Sequence, residues 1–197
     1  LQGMAYCMIS MVLTRMVSGF GAEAIATQRV GGQIESVSWN TADGFGAALN
    51  AFIGQNYGAG KMDRVKKGYR ASLITVGVWG LFITLLFVCF PEQISGVFFH
   101  EPTAIATAVG YMIIIGYSEA FMSVELMTIG ALSGLGRTRL CSIISIVFTG
   151  SRIPFAMALA ATPLGLDGIW WAMSLTSVVK GIIFTIVFHR ITHNGRS

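Results

Sequence analysis

Long apolar stretches make up most of this chain, and charged residues interrupt them at only a few positions. An α-helix needs about 20 apolar residues to cross a hydrocarbon core of about 30 Å. We therefore predict an all-α polytopic membrane protein, a bundle of six transmembrane helices. The predicted spans are Met4–Phe20, Ala24–Tyr57, Ala71–Phe90, Thr103–Leu135, Leu140–Ala161 and Leu166–His189.

The shapes of several predicted spans follow from their length and their prolines. Ala24–Tyr57 is too long for one upright crossing at about 1.5 Å per residue. We expect it to tilt, to lie partly in the interface, or to bend near Gly44–Gly46. Pro91 should end the third helix, Pro102 should lie in the first turn of the fourth, and Pro154 should kink the fifth.

The composition supports a membrane protein and argues against a soluble one. Of the 197 residues, 54% are hydrophobic and only 11% are charged, whereas a soluble domain has about 25% charged residues. The net charge of +4 does not indicate a nucleic-acid partner, because the basic residues stand at the ends of apolar runs rather than on one face.

Basic residues collect in alternate links between the predicted spans. The links around Glu23, around Glu92 with Glu101, and around Asp167 lack Lys and Arg. By the positive-inside rule, we expect a multi-pass protein of the cell membrane with both ends of this chain cytoplasmic. The basic residues are Lys61, Arg64, Lys66, Lys67 and Arg70 after the second span, Arg137 and Arg139 after the fourth, and Arg190 and Arg196 in the tail.

Four groups of short motifs occur in the order and spacing of a known transporter family and cover most of the chain. They are Ala24–Gln28 with Ile34–Ser36, Gly44–Ala48 and Gly54–Gly60 in the second span, then Gly130–Thr138, Arg152–Phe155 and Gly165–Ala172. On these residues the chain resembles the multidrug and toxic compound extrusion (MATE) transporters.

The resemblance implies a protein of twelve helices in two lobes. Residues 1–197 would form a single six-helix lobe, the C-terminal one, and the N-terminal lobe would be absent from this chain. The implied function is secondary active antiport, in which drugs or other organic, often cationic, compounds leave the cell in exchange for H⁺ or Na⁺ by alternating access. The implied partners are small organic substrates, membrane lipid and the N-terminal lobe. Apart from the coupling ion, no cofactor or metal is expected.

Two other functions stay open at this point. A lipid-linked oligosaccharide flippase of the same superfamily should have a more basic cavity, and a non-transporting membrane scaffold or fragment should have no transport site. An enzyme is not expected, because the motifs supply neither a nucleophile–base pair nor a metal cluster. The chain also departs from some family members, which carry an acidic cation-site residue early in helix seven. Met4–Phe20 holds no carboxylate, and one would be expected near Tyr6.

Polar residues inside the second span are the first candidates for a transport site, since an intramembrane charge usually faces a cavity or a partner. Gln28 and Glu35 are seven residues apart and nearly superimposed on a helix, and Trp39 and Asp43 lie within about a quadrant of them. We predict that Glu35 and Asp43 couple the ion, and that Gln28, Trp39 and Asn40 form the substrate-cavity wall.

Two further carboxylates, Glu119 and Glu125, lie in the fourth span. They are six residues apart and point to faces about 120° apart, so a straight helix cannot direct both into one narrow site. Some members of the resembling family carry a cation-site carboxylate in helix ten, and this assigns Glu125 as the first choice for ion coupling. We expect Glu119 to lie closer to the interface. The structural alternative for both is a hydrogen bond to a neighbouring helix.

Two basic residues, Arg152 and Lys180, lie in or beside the last spans. They are explained either by salt bridges and snorkelling or by neutralising an empty carboxylate during transport. Correspondingly, Glu35 has a structural alternative in which it pairs with Arg29 or Lys180. The small-residue pattern Gly130–Gly134 is explained by close helix packing.

Overall fold

A computed structural model describes residues 2–194, with side chains described for residues 4–193. Arg196 of the basic tail lies outside the described residues. Within them the chain is almost entirely α-helical and has no β-strand. The helices are α1 (Gln2–Ser18), α2 (Ala22–Gly58), α3 (Met62–Cys89), α4 (Pro91–Phe98), α5 (Pro102–Gly134), α6 (Thr138–Gly150), α7 (Arg152–Ala160) and α8 (Leu166–Asn194).

The three prolines act as predicted. α3 ends at Cys89, two residues before Pro91, and Pro102 is the first residue of α5. The fifth span divides at Ser151 into α6 and α7, which places Pro154 in the first turn of α7. The break follows from proline chemistry, because Pro154 has no N–H to donate to the carbonyl of Gly150. The short helix α4, which begins at Pro91, was not predicted.

Four segments of the described chain are helical, long and apolar enough to cross a membrane. They are Met62–Cys89, Pro102–Gly134, Thr138–Ala160 and Leu166–His193. The apolar part of α1 is shorter, Met4–Ser18, and α2 does not meet the same criterion, since polar side chains and glycines interrupt it. The all-α membrane fold is thus confirmed. Of the six predicted spans, four are long and apolar enough to meet the criterion for crossing a membrane.

The outer surface of α3 shows how the bundle meets lipid. Ile74, Val78, Leu81 and Leu85 are all more than half exposed, and their spacing places them along one side of the helix. A soluble protein rarely exposes a continuous apolar stripe of this kind. The chain is therefore built as a multi-pass membrane protein.

The long helix α2 has 37 residues, which corresponds to about 55 Å at 1.5 Å per residue. It exceeds the hydrocarbon thickness, as predicted. The helix is continuous through Gly44–Gly46, so the extra length is not absorbed by a break there; tilt and curvature stay predictions.

α5 is the central helix, packed against α2, α3, α4, α6 and α8. Small residues let the backbones approach. A Cβ atom added at Gly134 would lie 2.6 Å from the carbonyl oxygen of Asn50 on α2, and one added at Gly130 would overlap the backbone of Gly46. On the opposite side, a Cβ at Gly80 of α3 would lie 2.6 Å from the Cα of Ala120. The packing role predicted for Gly130–Gly134 is confirmed.

α2 and α5 end in the same way, each with a glycine in the left-handed region. Gly60 has φ +70° and Gly136 has φ +73°. Beyond each glycine, a backbone N–H reaches the carbonyl five residues earlier: Lys61 to Asn56 at 2.8 Å, and Arg137 to Leu132 at 2.9 Å. These glycine-terminated caps satisfy the last carbonyls of both helices and turn the chain into its two basic links.

Candidate functional site

A cavity of about 370 Å³ lies between α1, α2, α5, α6, α7 and α8. Its volume falls in the range of pockets that hold small organic molecules, about 300–1,000 Å³. The α5 side of the wall is largely apolar and includes Ile115, Met122, Leu126 and Ile129. The charged residues of the wall come from α2, α5, α7 and α8. They are Glu35, Asp43, Glu125, Arg152 and Lys180.

Glu125 lies on this cavity and is held by a cation. The Nζ atom of Lys180, on α8, donates to its Oε1 at 2.8 Å. The two side chains are only 6% and 8% exposed, respectively, so water screens their attraction weakly. The second carboxylate oxygen of Glu125 has no hydrogen-bond partner among the described residues. Glu125 thus makes a polar contact to a neighbouring helix, which was the structural alternative for this residue. It also faces the cavity.

Glu35 is held by a neutral donor. The hydroxyl group of Tyr111, on α5, donates a hydrogen bond to Glu35 Oε1. Gly31, one turn earlier on α2, makes room for this contact, because a Cβ there would overlap the ring of Tyr111. The predicted alternative partners of Glu35 are wrong: Arg29 is exposed, and Lys180 is bound to Glu125.

Glu119 is fully buried within the bundle, at 0% exposed, and its place closer to the membrane interface stays a prediction. It faces Ser38 and Trp39 of α2 and lies near Glu35. Both of these α2 residues offer a donor, but among the described residues neither carboxylate oxygen of Glu119 makes a well-aligned hydrogen bond. Glu119 does not line the cavity that Glu125 lines, as their spacing on α5 predicted.

The remaining α2 residues divide between two sites. Trp39, Asn40 and Asp43 line the cavity with Glu35, and the exposed positions of Asn40 and Asp43 place them at its open edge. Gln28 instead lines a separate groove between α1 and α2, beside the exposed Arg29. The cavity face predicted on α2 therefore begins at Glu35, and Gln28 does not extend it.

Like Lys180, Arg152 lines the cavity, although the sequence left both residues open between salt bridges and the neutralisation of a carboxylate. It begins α7 and is 6% exposed. Its Nε donates to Thr176 Oγ1 at 2.9 Å, and one of its Nη atoms donates to Ser177 Oγ at 2.7 Å. The sequence signal was that Arg152 lies two residues before Pro154. A helix break at this proline places the cation inside the apolar bundle rather than at its end.

Tyr6 and Tyr111 were missed as site residues. Tyr6 of α1 lines the cavity, so the position where the resembling family led us to look for a carboxylate does face the site. Tyr111 is buried and reaches the site only through Glu35. A tyrosine in an apolar helix gives no sequence signal of its partner, since its ring is also an ordinary packing group.

The family model described as MatE matches residues 1–158 of this chain. The chain belongs to the MatE family. MatE proteins are transporters and not enzymes, so the expectation that this chain is not an enzyme is confirmed, as is the resemblance stated from the motifs.

Individual relatives agree with this membership. The probable multidrug resistance protein NorM of Thermotoga maritima is 28% identical over 170 residues, which are 85% of this chain and 37% of that protein. The multidrug and toxin extrusion protein 1 of Danio rerio is 23% identical over 186 residues, 90% of this chain and 31% of that protein. This MatE chain thus spans about a third of the length of these curated relatives.

The fold of the chain is similar to that of a solved MatE structure. The crystal structure of the Vibrio cholerae MATE transporter VcmN in its bent form superimposes with a TM-score of 0.90 at 17% sequence identity. The match covers 98% of this chain and 44% of VcmN. The helices described here therefore have the arrangement of a part of that transporter.

Proposed function

We propose that this chain forms one lobe of a MatE exporter for drugs and other small organic compounds, which leave the cell in exchange for H⁺ or Na⁺. The observation that carries the proposal is the cavity itself. It has the volume of a small-molecule site, an apolar α5 side, and three carboxylates, Glu35, Asp43 and Glu125, in its wall. The names of the relatives, multidrug resistance and toxin extrusion proteins, support the same function.

In this proposal Lys180 acts as the internal counterion of Glu125. A carboxylate buried among helices is expensive unless it is paired, and Lys180 Nζ supplies the pair at 2.8 Å. An arriving coupling ion would take over the carboxylate and release Lys180. Glu125 would then be paired with Lys180 in one state and with the coupling ion in the other. Alternating access requires two such states.

A second lobe belongs to the proposal. The cavity is open beside Asn40 and Asp43 on α2, and the chain covers only 37% of its Thermotoga maritima relative. An N-terminal lobe that closes this edge would complete an alternating-access site. We also propose that both ends of this chain face the cytoplasm. Labelling of a cysteine introduced at Lys66 from outside intact cells would contradict that orientation.

The cavity argues against the two alternative functions. Three carboxylates and two cations line it, so it is not the basic cavity expected of a flippase for lipid-linked oligosaccharides. A non-transporting scaffold does not need five charged side chains around a space of small-molecule size. Buried charges lower the stability of a helix bundle, and within membranes they usually mark a functional site.

The test is Glu125→Gln in the full-length protein, which keeps the size of the side chain and removes its charge. We expect gradient-driven efflux of a cationic dye to fall to background at matched protein level, since the coupling ion loses its carboxylate. The control is Glu92→Gln, an exposed carboxylate on α4 outside the cavity, which should export like the wild type. Efflux at the wild-type rate in Glu125→Gln would remove Glu125 from the mechanism and shift the assignment to Glu35 and Asp43.

A further inference from the structure

A second polar feature lies outside the cavity, where the beginning of α3 meets the end of α8. Four side chains that carry positive charge or N–H donors line a small groove between these two helices. They are Lys66 and Arg70 of α3 and His189 and His193 of α8. The members of each pair are four residues apart, so each pair occupies one face of its helix. No carboxylate lines the groove, and none of the four forms a salt bridge among the described residues. The groove therefore offers positive charge without an anion of its own.

Packed rings hold the floor of the groove in place. The ring of Tyr69 stacks on Phe188 with centroids 3.7 Å apart and meets His189 edge-on at 6.2 Å. The Tyr69 hydroxyl also forms a hydrogen bond with Thr128 of α5 at 3.0 Å, so this turn of α3 is fixed to the central helix. The space inside the groove is about 10 Å³, roughly enough for one water molecule. A larger anion must therefore bind at the rim, where three of the four lining donors are exposed.

Exposed apolar residues continue both donor faces away from the groove, into the membrane-spanning part of each helix. On α3, Ile74 follows Arg70 by four residues and belongs to the lipid-facing stripe of that helix. On α8, Ile186 and Ile182 precede His189 by three and seven residues, and both are exposed. Helix geometry places these apolar residues on the same side as the donors. A ligand that carries an anion next to long apolar chains matches this arrangement, whereas a soluble anion matches only the donors.

We propose that this groove binds the phosphate of an anionic phospholipid, whose acyl chains lie along the exposed apolar residues of α3 and α8. Lys66 and Arg70 neutralise the phosphate from one side, and the imidazoles of His189 and His193 donate to it from the other. Basic pockets between transmembrane helices on the cytoplasmic side attract anionic headgroups, in agreement with the cytoplasmic orientation proposed for this end of α3. The lipid site shares no lining residue with the export cavity.

The test is lipid binding to the full-length protein in a neutral detergent, measured by native mass spectrometry. The protein is titrated with dioleoyl phosphatidylglycerol and, separately, with dioleoyl phosphatidylcholine, which has the same acyl chains but no net charge. We expect the first phosphatidylglycerol to bind more tightly by on the order of tenfold, because basic side chains near the membrane surface attract an anionic headgroup. Lys66→Gln/Arg70→Gln should reduce this ratio to about one. Equal affinity for the two lipids in the wild type would overturn the proposal.

The matched control is Arg64→Gln/Lys67→Gln, which removes two positive charges from the same turns of α3. Neither of these residues lines the groove, so the ratio should stay at the wild-type value. An equal fall in both double variants would contradict the groove and indicate a general attraction of lipid to the basic link. If Lys66→Gln/Arg70→Gln does not fold, Arg70→Gln alone changes an exposed position and should still lower the ratio several-fold. An unchanged ratio in that variant would also contradict the proposal.

Two further measurements separate the lipid from other occupants. His189→Phe/His193→Phe removes the donors of α8 and should lower the ratio several-fold, whereas an unchanged ratio would overturn the shared groove and leave the headgroup on α3 alone. Inorganic phosphate should not displace phosphatidylglycerol at comparable concentration, since it has no chains to lie against the apolar residues. Displacement at equal affinity would overturn the lipid assignment and identify a soluble anion as the occupant.

Discussion

The buried cations and the buried carboxylates around the same cavity differ in how many hydrogen-bond partners they have. The α7–α8 wall holds the cations Arg152 and Lys180, and each is bound by oriented oxygen atoms. The α2–α5 wall carries the carboxylate Glu35, and Glu119 is buried outside the cavity, near Glu35. Both carboxylates receive less: one hydroxyl donates to Glu35, and Ser38 and Trp39 lie beside Glu119 without forming a well-aligned hydrogen bond in the described chain. The cationic wall is therefore preorganised, whereas carboxylate oxygens of the acidic wall can still accept further hydrogen bonds.

The difference follows from how the two helix pairs approach. α2 and α5 cross closely at glycines, with Gly130 against Gly46, and the Tyr111 ring reaches Glu35 between them because Gly31 has no side chain. α7 and α8 meet at the Pro154 break, which starts a new helix at Arg152 and lets a long cationic side chain cross to the hydroxyls of α8. The two kinds of packing therefore leave the buried cations better bound than the buried carboxylates of α2 and α5.

The largest effect should come from breaking the one ion pair between the walls. Glu125→Leu leaves Lys180 buried without its partner, and a broken buried pair typically costs about 3–5 kcal/mol. We expect a large fall in thermal stability of the purified protein. The double variant Glu125→Leu/Lys180→Met removes both charges and should recover most of that loss. Equal stability of the single and double variants would show that the pair does not hold α5 to α8.

A smaller effect should follow from removing the single donor of the acidic wall. Tyr111→Phe deletes the hydroxyl that binds Glu35, and interhelical hydrogen bonds in membranes contribute about 0.6–2 kcal/mol. Thermal unfolding should therefore shift by less than in Glu125→Leu. The control is Tyr117→Phe on the same helix, whose side chain is half exposed and stacked on Trp171. A shift of the same size in both variants would mean that the Tyr111–Glu35 bond is not the cause.

The smallest effect on stability should come from Glu119. Ser38 and Trp39 lie beside its oxygens, but no well-aligned hydrogen bond forms within the described residues. Replacing the carboxyl group therefore removes a buried polar group that its neighbours offset only weakly. We expect Glu119→Met to be neutral or stabilising, by about 1 kcal/mol at most. A loss comparable to that of Glu125→Leu would show that Glu119 is held by a partner outside the described residues, and the contrast between the two walls would then be wrong.

Local signals in the sequence were enough to predict where several helices begin and end and where they pack closely. Pro91, Pro102 and Pro154 mark helix boundaries because proline lacks an N–H wherever it stands, and the Gly130–Gly134 pattern predicts close packing because small residues permit it in any bundle. The separation of Glu119 from Glu125 also follows from helix geometry alone. Glu35, Trp39 and Asp43 share one cavity wall for the same reason.

The partner of each charge was decided only by the tertiary structure. Lys180 lies 55 residues from Glu125, and Tyr111 lies 76 residues from Glu35, so no local pattern connects them. Gln28 has the helical phase of Glu35, yet a groove between α1 and α2 receives it, because the direction of a helix face is fixed by what packs against it. By itself the sequence determined an all-α membrane fold and the helix on which each charge lies. Their pairing needed the bundle, since a low-dielectric interior makes charge energies depend on neighbours that only folding brings together.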